Sequence, residues 1–229
     1  MKKLFVDKKN VPYFNETFEN DLNVREWTIY GDISVNKDNN SLSWTVPANT
    51  IINPYELMIV SDRWVPSYSD RASVCGAFIG GSELIRTGYG LIWDENNYIM
   101  VHSRAGVGKI TIVKDGNLIT YSGNNTITSS YRIRLDYVFS ISRAYFFRAR
   151  PLWGALPPNV LVHMPKTPVR AFIGTIQSDG SNTSDINVSL ADFNMFNSTY
   201  SEPIPVIPPE FNRFPYKVKG SKIKTRYQL

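Results

Sequence analysis

Glycoside cleavage needs two carboxylates flanking the scissile bond, one protonated and one ionised. In this chain only Glu19 and Asp21 stand at i and i+2, and Asn23 takes the next alternate position. They lie in an Asn-rich polar stretch that reads as a solvated loop. Asp94 and Glu95 are adjacent, so a strand would send them to opposite faces; before Asn96-Asn97 they read as a turn. A phosphate-binding loop is nearly spelled by residues 103–110, Ser-Arg-Ala-Gly-Val-Gly-Lys-Ile. Ser103 replaces its first glycine and Ile110 its metal-binding hydroxyl, and the segment leads into a strand pattern rather than a helix. A hairpin turn is the expectation there.

Metal chemistry is equally incomplete. His102 and His163 have no further ligands at useful spacing. Residues 179–185 place oxygen ligands at alternate positions, as calcium loops do, with Asp179 and Asp185 as the candidates. Ser184 and Leu190 stand where such a loop has its glycine and its distal glutamate, so a solvated turn is expected. No metal or other cofactor is implied. The single cysteine, Cys75, excludes an intrachain disulfide; among Ala72, Val74 and Ala77 it reads as a buried structural thiol.

Arginine is the sharper feature. Residues 131–138 alternate almost perfectly, putting Arg132, Arg134 and Asp136 on one face and Tyr131, Ile133, Leu135 and Tyr137 on the other. Arg148 and Arg150 share a face of the next strand. Pairing that sets Arg132 opposite Arg150 gathers four guanidiniums on one sheet face, a site for an anionic glycan or an acidic patch on a neighbouring subunit. A one-residue change of register separates them, and a solvated surface results.

The elements that position these residues are strands. Segment 76–121 is the organising centre, a run of short antiparallel strands at 72–79, 89–94, 97–103, 108–114 and 117–121, with Asp115-Gly116 as a tight turn. Before it come strands at 13–18, 27–30, 33–36, 41–46 and 56–64. After it come 131–138, 143–150, 169–176 and 186–196, with a polar turn at 122–130. Five prolines in 151–168 exclude a central strand, so that segment reads as a long surface loop. No helical periodicity runs beyond two turns.

Composition agrees. Aromatic residues make up 13% of the chain, which favours strands. The net charge of +5 belongs to the ends: residues 1–10 hold four lysines against one aspartate, and 201–229 hold six basic residues against two acidic ones. A basic body suited to nucleic acid is therefore not expected. The opening apolar run, residues 4–6, is too short for a secretory h-region of about 7–15 residues, and nothing approaches a membrane span. Folding in a cytoplasm follows as an expectation. Division into a basic lead-in (1–12), a sandwich (13–197) and a Pro-rich basic arm (198–229) follows from these shifts.

With its strands laid out, the chain resembles the concanavalin A-like lectin/glucanase superfamily, jelly rolls of two large antiparallel sheets. The resemblance rests on Phe14 and Phe18 before Trp27, on Gly-Tyr-Gly-Leu-Ile-Trp at 88–93, on the Asp-Gly-linked pair in 110–119, and on the closing Leu-Ala-Asp-Phe-Asn-Met-Phe at 190–196. It implies an all-β, antiparallel two-sheet jelly-roll sandwich, with an extended C-terminal arm added. Members with glucanase activity carry Glu-x-Asp-x-Glu on one strand, which this chain lacks. Lectin-type sites imply exposed aromatic faces with polar clamps; Trp64, Tyr68, Tyr89, Trp93 and Trp153, with Arg86 or Arg104, are the candidates.

The combined expectation is a non-enzymatic structural and attachment protein of a virion, from a tailed bacteriophage, as a tail, baseplate or capsid accessory. Its glycan or partner face would comprise Trp93, Tyr89, Arg132, Arg134, Arg148, Arg150 and Trp153. Its arm would dock on other virion subunits through Phe211, Phe214, Tyr216, Lys217, Lys219, Lys222, Lys224 and Arg226. A homo-oligomer or larger assembly and a cell-surface glycan are the expected partners. A carbohydrate-binding lectin module and a glycoside hydrolase of the same fold are the alternatives.

Overall fold

The computed structural model describes residues 14–62, 71–79, 85–104, 107–126, 132–148, 159–165 and 169–198. The basic lead-in, Trp64, Tyr68, Arg150, Trp153 and the C-terminal arm lie outside them. The described residues form sixteen strands, all paired antiparallel, in two sheets of eight. The expected sandwich class is what they build.

One sheet, here sheet A, has the order β14 (Asn159–Leu161), β13 (Arg143–Arg148), β12 (Arg132–Val138), β7 (Arg71–Ile79), β16 (Ile186–Ser198), β4 (Ser41–Val46), β3 (Ile33–Asn36), with β1 (Phe14–Glu16) also pairing β16. Sheet B has the order β11 (Asn117–Thr126), β10 (Val107–Lys114), β9 (Asn97–Arg104), β8 (Ile85–Asp94), β15 (Arg170–Asp179), β6 (Leu57–Ser61), β2 (Trp27–Tyr30), with β5 (Ile51–Ile52) on β15. Segment 76–121 does run through the middle: β7 is central in sheet A, and β8 to β11 form half of sheet B. Several assignments differ from the sequence pattern, the short strand β5 among them. Residues 159–161 form a strand inside the proline-rich segment, at the edge of sheet A, where one side needs no ladder partner. β8 starts at Ile85, and β11 continues to Thr126 through residues expected to turn.

Alternation explains the core. From β8, Ile85, Tyr89, Leu91 and Trp93 face inward; from β12, Ile133, Leu135 and Tyr137 meet them. Edge-to-face contacts tie the sheets, Trp93 on Tyr137 at 5.1 Å and Tyr89 on Phe193 at 6.0 Å between centroids. Tyr89 is the deepest tie. Its hydroxyl lies 2.7 Å from the Ile133 carbonyl and 3.1 Å from that of Gly76, sharing one proton between them. Gly76 makes the room: a Cβ there would sit 2.9 Å from the Tyr89 ring.

Sheet B is apolar on its other face as well. Met58, Val60, Ile92, Met100, Phe172 and Ile176 form a second, fully buried cluster outside the inter-sheet core, with Tyr30 and Tyr55 packed against it. Strict half-burial, the usual condition of an antiparallel sandwich strand, does not hold here.

Candidate functional site

The outer face of sheet B is built on glycine. On β8, Tyr89 and Leu91 point to the core, so Arg86, Gly88, Gly90 and Ile92 belong to the outside. Register sets Gly88 beside His102 and Gly90 beside Met100 on β9, and Gly174 beside Met58 on β6. A Cβ at Gly90 would fall 2.0 Å from the Ile99 carbonyl oxygen, so no side chain can rise there. The glycines leave gaps between the fully buried side chains of Met58, Met100, Ile92 and Phe172, and long residues at the margins fold across them.

Arg86 does so from one end. Its guanidinium bonds the Gln177 amide oxygen on β15 and stands beside Tyr98 on β9, close enough to act on its phenol. Arg86 and Tyr98 are separated by the Gly88/His102 and Gly90/Met100 rows, so this contact requires the arginine to lie along the strand over the glycines. Burial raises the Tyr98 phenol above its ordinary value, and Arg86 partly offsets this. Arg170 repeats the arrangement, lying close enough to Tyr55 to act on its phenol. Burial raises the Tyr55 phenol too, with Arg170 opposing and Tyr30 and Asp94 adding to the rise. Tyr30 meets Tyr55 edge-to-face at 5.4 Å. His102 is buried beside these gaps, its Nε2 2.8 Å from the Thr111 hydroxyl. Arg86, Arg170, Tyr30, Tyr55 and Asp94 are all half-exposed. The site therefore offers aromatic edges, planar cationic clamps and neutral hydrogen-bonding groups on one surface.

The opposite sheet has a different surface. Its outer face holds an open groove of about 690 Å³ over β3, β4 and the start of β16. Ser34, Ser43 and Ser189 form one cross-strand row in it, and Thr45 bonds Asn187 at 2.8 Å in another. The groove lacks an aromatic face: Trp44 turns inward, its indole N–H donating to the Thr175 hydroxyl at 2.9 Å.

Several residues singled out from the sequence fall elsewhere. Tyr89 and Trp93, expected on a glycan face, are core residues, because the Gly-Tyr-Gly-Leu-Ile-Trp alternation turns its aromatics inward. The arginine cluster is broken by register. β12 and β13 pair Arg134 with Phe147 and Ile133 with Arg148, so Arg148 is one residue out of phase with Arg134. Arg134 is committed to Asp136, Nε to Oδ1 at 2.6 Å, and Arg71 reaches the other carboxylate oxygen at 3.3 Å. The side chains of Arg132, Arg148 and Arg104 lie outside the described set, as do Arg150 and the arm residues Phe211 to Arg226. Cys75 is half-buried rather than buried, since parity puts it on the outer side of β7 opposite Arg134.

The weaker motifs dissolve into local structure. Asp21 pairs with Lys37 at 2.9 Å in full exposure. Residues 103–104 and 107–110 lie on the paired strands β9 and β10, with Arg104 opposite Val107, and the expected turn at 105–106 lies outside the described residues. Asp179 caps its own turn through the Ser181 N–H and hydroxyl, while Asp185 accepts from the Ala48 N–H at 2.8 Å. Their oxygens serve different loops. Among the described residues no group of three His, Cys, Asp or Glu is placed to hold a metal ion. The site that sequence reasoning missed is Arg86–Tyr98 and Arg170–Tyr55 as pairs. Arg86 was a clamp candidate, but Tyr55, Tyr98 and Arg170 were not singled out. The signal was the Gly-x-Gly alternation at Gly88 and Gly90, which leaves room above a strand.

No family model and no curated protein matches the chain. Solved structures do. A glycosyl hydrolase family protein from Mycobacterium fortuitum is similar over 82% of this chain and 100% of its own, at 9% identity and a TM-score of 0.54. A xylan β-1,4-xylosidase from Bacillus halodurans C-125 is similar over 79% of this chain at 13% identity and a TM-score of 0.53, and this chain spans only 38% of its length. A legume lectin-like domain from Entamoeba histolytica covers 76% of this chain and 90% of its own, at 13% identity and a TM-score of 0.50. One correction follows. The expectation of a non-enzyme does not stand, because glycosyl hydrolases are prominent among the structures this fold is similar to. The expectation of a bacteriophage virion protein finds no support in these similarities. What they show of this chain is its fold, the concanavalin A-like sandwich shared by glycosyl hydrolases and lectins.

Proposed function

We propose that the chain is a carbohydrate-recognising sandwich that takes glycan on the outer face of sheet B. The observation that carries this is the row of glycine gaps flanked by Arg86–Tyr98 and Arg170–Tyr55. Sugar rings present apolar C–H faces and a fringe of hydroxyls. The half-exposed edges of Tyr30 and Tyr55 suit the first, and guanidinium and amide groups suit the second, while the buried Tyr98 lies beneath Arg86. The polar groove of sheet A supplies hydroxyls without an aromatic surface and suits sugar less well. The lectin-like and glycosidase-like neighbours support a carbohydrate ligand in general terms.

The test is a glycan array with the intact chain and the variants Tyr30→Ala and Tyr55→Ala. Saturable binding that weakens in both variants, with their fold retained by circular dichroism, is the expected result. An array without saturable binding overturns the proposal.

Hydrolysis of the bound glycan is the second reading, favoured by the glycosyl hydrolase neighbours. Asp62 and Asp94 are the carboxylates at the Arg170 end of the described outer face. Asp62 accepts from the Thr28 hydroxyl at 2.6 Å, and Asp94 caps the β8–β9 turn through Asn96 and Asn97. Release of reducing ends from xylan or β-glucan, lost in Asp94→Asn, is its expected signature. Release unchanged in both Asp62→Asn and Asp94→Asn would remove these carboxylates from the chemistry.

A further inference from the structure

A strand at the edge of a sheet presents a row of open N–H and C=O groups, which is a template for another strand unless something blunts it. The path of sheet A ends in β14 and β3, and that of sheet B in β2 and β11. Three of these edges are blunted. β14 has three residues and follows Pro157-Pro158. β3 and β2 have four residues each; β3 runs between Asp32 and Lys37, and β2 directly follows Glu26. β11 has none of these devices over residues 117–122, Asn-Leu-Ile-Thr-Tyr-Ser, which carry no charge and no proline. It pairs with β10 residue for residue there, and the register departs only beyond Ser122. Among the described residues no strand lies on its other side. Asn117 to Thr120 are exposed, Leu118 at 46% and Ile119 at 45%. Leu118 extends the outer row of Val113, whereas Ile119 and Tyr121 extend the inner row of Ile112 and Ile110.

We infer that β11 is a self-association edge: two copies of the chain pair antiparallel through residues 117–122 about a two-fold axis and join their B sheets into one. A second copy fits this edge for three reasons. Residues opposite each other in an antiparallel pair share a sheet face, so an axis passing at Ile119 or Thr120 sets inner row against inner row and outer row against outer row. No charge within 117–122 opposes the approach, and the nearest charges in the turn, Lys114 and Asp115, pair with each other. Pairing β11 with itself also closes, whereas pairing it with the β2 edge of another copy would leave an open edge at each end. The inference does not rest on the glycan reading, since β10 and β9 separate β11 from β8.

The experiment is sedimentation of the intact chain over a range of concentrations, followed by hydrogen exchange. The expected result is a mass that reaches that of two chains. In the dimer, the amides of 117–122 should exchange more slowly than in the monomer obtained by dilution, while those of β2 and β3 do not change. The double variant Leu118→Lys with Thr120→Lys sets like charges opposite each other with the axis at either residue, and both positions are exposed in the single chain. It should weaken the dimer at least about tenfold. A monomer at every concentration overturns the inference. So do larger open-ended assemblies, a dimer that the folded double variant leaves intact, and protection of 117–122 in a chain that sediments as a monomer. Exchange in the native dimer maps the interface without any variant, so rapid exchange of 117–122 there overturns the inference even where the double variant fails to fold.

Discussion

Replacing Gly76 with alanine tests the central packing argument. The added Cβ would stand 2.9, 3.1 and 3.3 Å from three atoms of the Tyr89 ring, closer than ordinary van der Waals contact. That ring cannot retreat freely. Its hydroxyl is held at the Ile133 and Gly76 carbonyls, and its other side meets Phe193. Overpacking a rigid core site costs about 1–3 kcal/mol, and loss of the buried phenol bond adds about 1 kcal/mol if the ring is pushed away. The sum, about 2–4 kcal/mol, corresponds to a fall in Tm of roughly 5–15 °C for a chain of this size. Urea unfolding followed by tryptophan fluorescence measures it. The cycle with Tyr89→Leu isolates the cause: in that background the smaller side chain leaves room, and the Gly76→Ala penalty should shrink by at least about 1 kcal/mol. A Gly76→Ala protein as stable as the parent, or a penalty unchanged in the Tyr89→Leu background, would refute the assignment of Tyr89 as the tie between sheets.

Two further outcomes follow from the same structure. Asp136→Ala should destabilise by about 3 kcal/mol in chemical denaturation, because Asp136 is 1% exposed and bridges Arg71 and Arg134; a change under about 1 kcal/mol would show that the triad adds little. Stability should fall above about pH 10, because burial raises the Tyr55, Tyr98 and Tyr137 phenols above 10.0 in the folded chain. Each keeps its proton more tightly folded than unfolded, so its contribution is intact below the unfolded value and is lost as pH climbs through the folded one. Tyr98→Phe should flatten part of that alkaline decline, and a parent whose urea midpoint is level across this range would contradict the burial of these phenols.

The fold was legible because its signals are local. Alternation in 41–46 and 131–138 marks strands whatever their partners, and Asp115-Gly116 marks the β10–β11 turn, where both residues take positive φ. The failures are failures of pairing. Nothing local says whether Arg134 faces Phe147 or Arg148, and that single step decides whether arginines cluster. Residues 159–161 form a strand only because β13 offers an edge. Trp93 and Tyr89 looked like sugar platforms because aromatic type is visible in a sequence whereas facing is not. Arg86 and Tyr98 are twelve positions apart in sequence, and their contact depends on two glycines between them on one face of β8.

Gly88-Tyr89-Gly90 therefore serves two surfaces through one alternation. Its tyrosine turns inward and joins the sheets at the β7–β12 pairing, and its glycines turn outward and open gaps there. The two roles constrain each other. A side chain at Gly90 would strike the β9 backbone at Ile99 and lift β8 from β9. That would move Tyr89 away from Ile133 and remove the bed on which Arg86 lies. The clamp is thus held by the core rather than by a surface loop. Loops bear most binding residues in folds of many kinds, but a cation fixed over a central strand is pre-organised, and less ordering entropy opposes its ligand. On this reasoning, substitutions at Tyr89 that preserve stability should leave Arg86-dependent binding intact. Those at Gly90 should weaken stability and binding together, because the same displacement of β8 disturbs both.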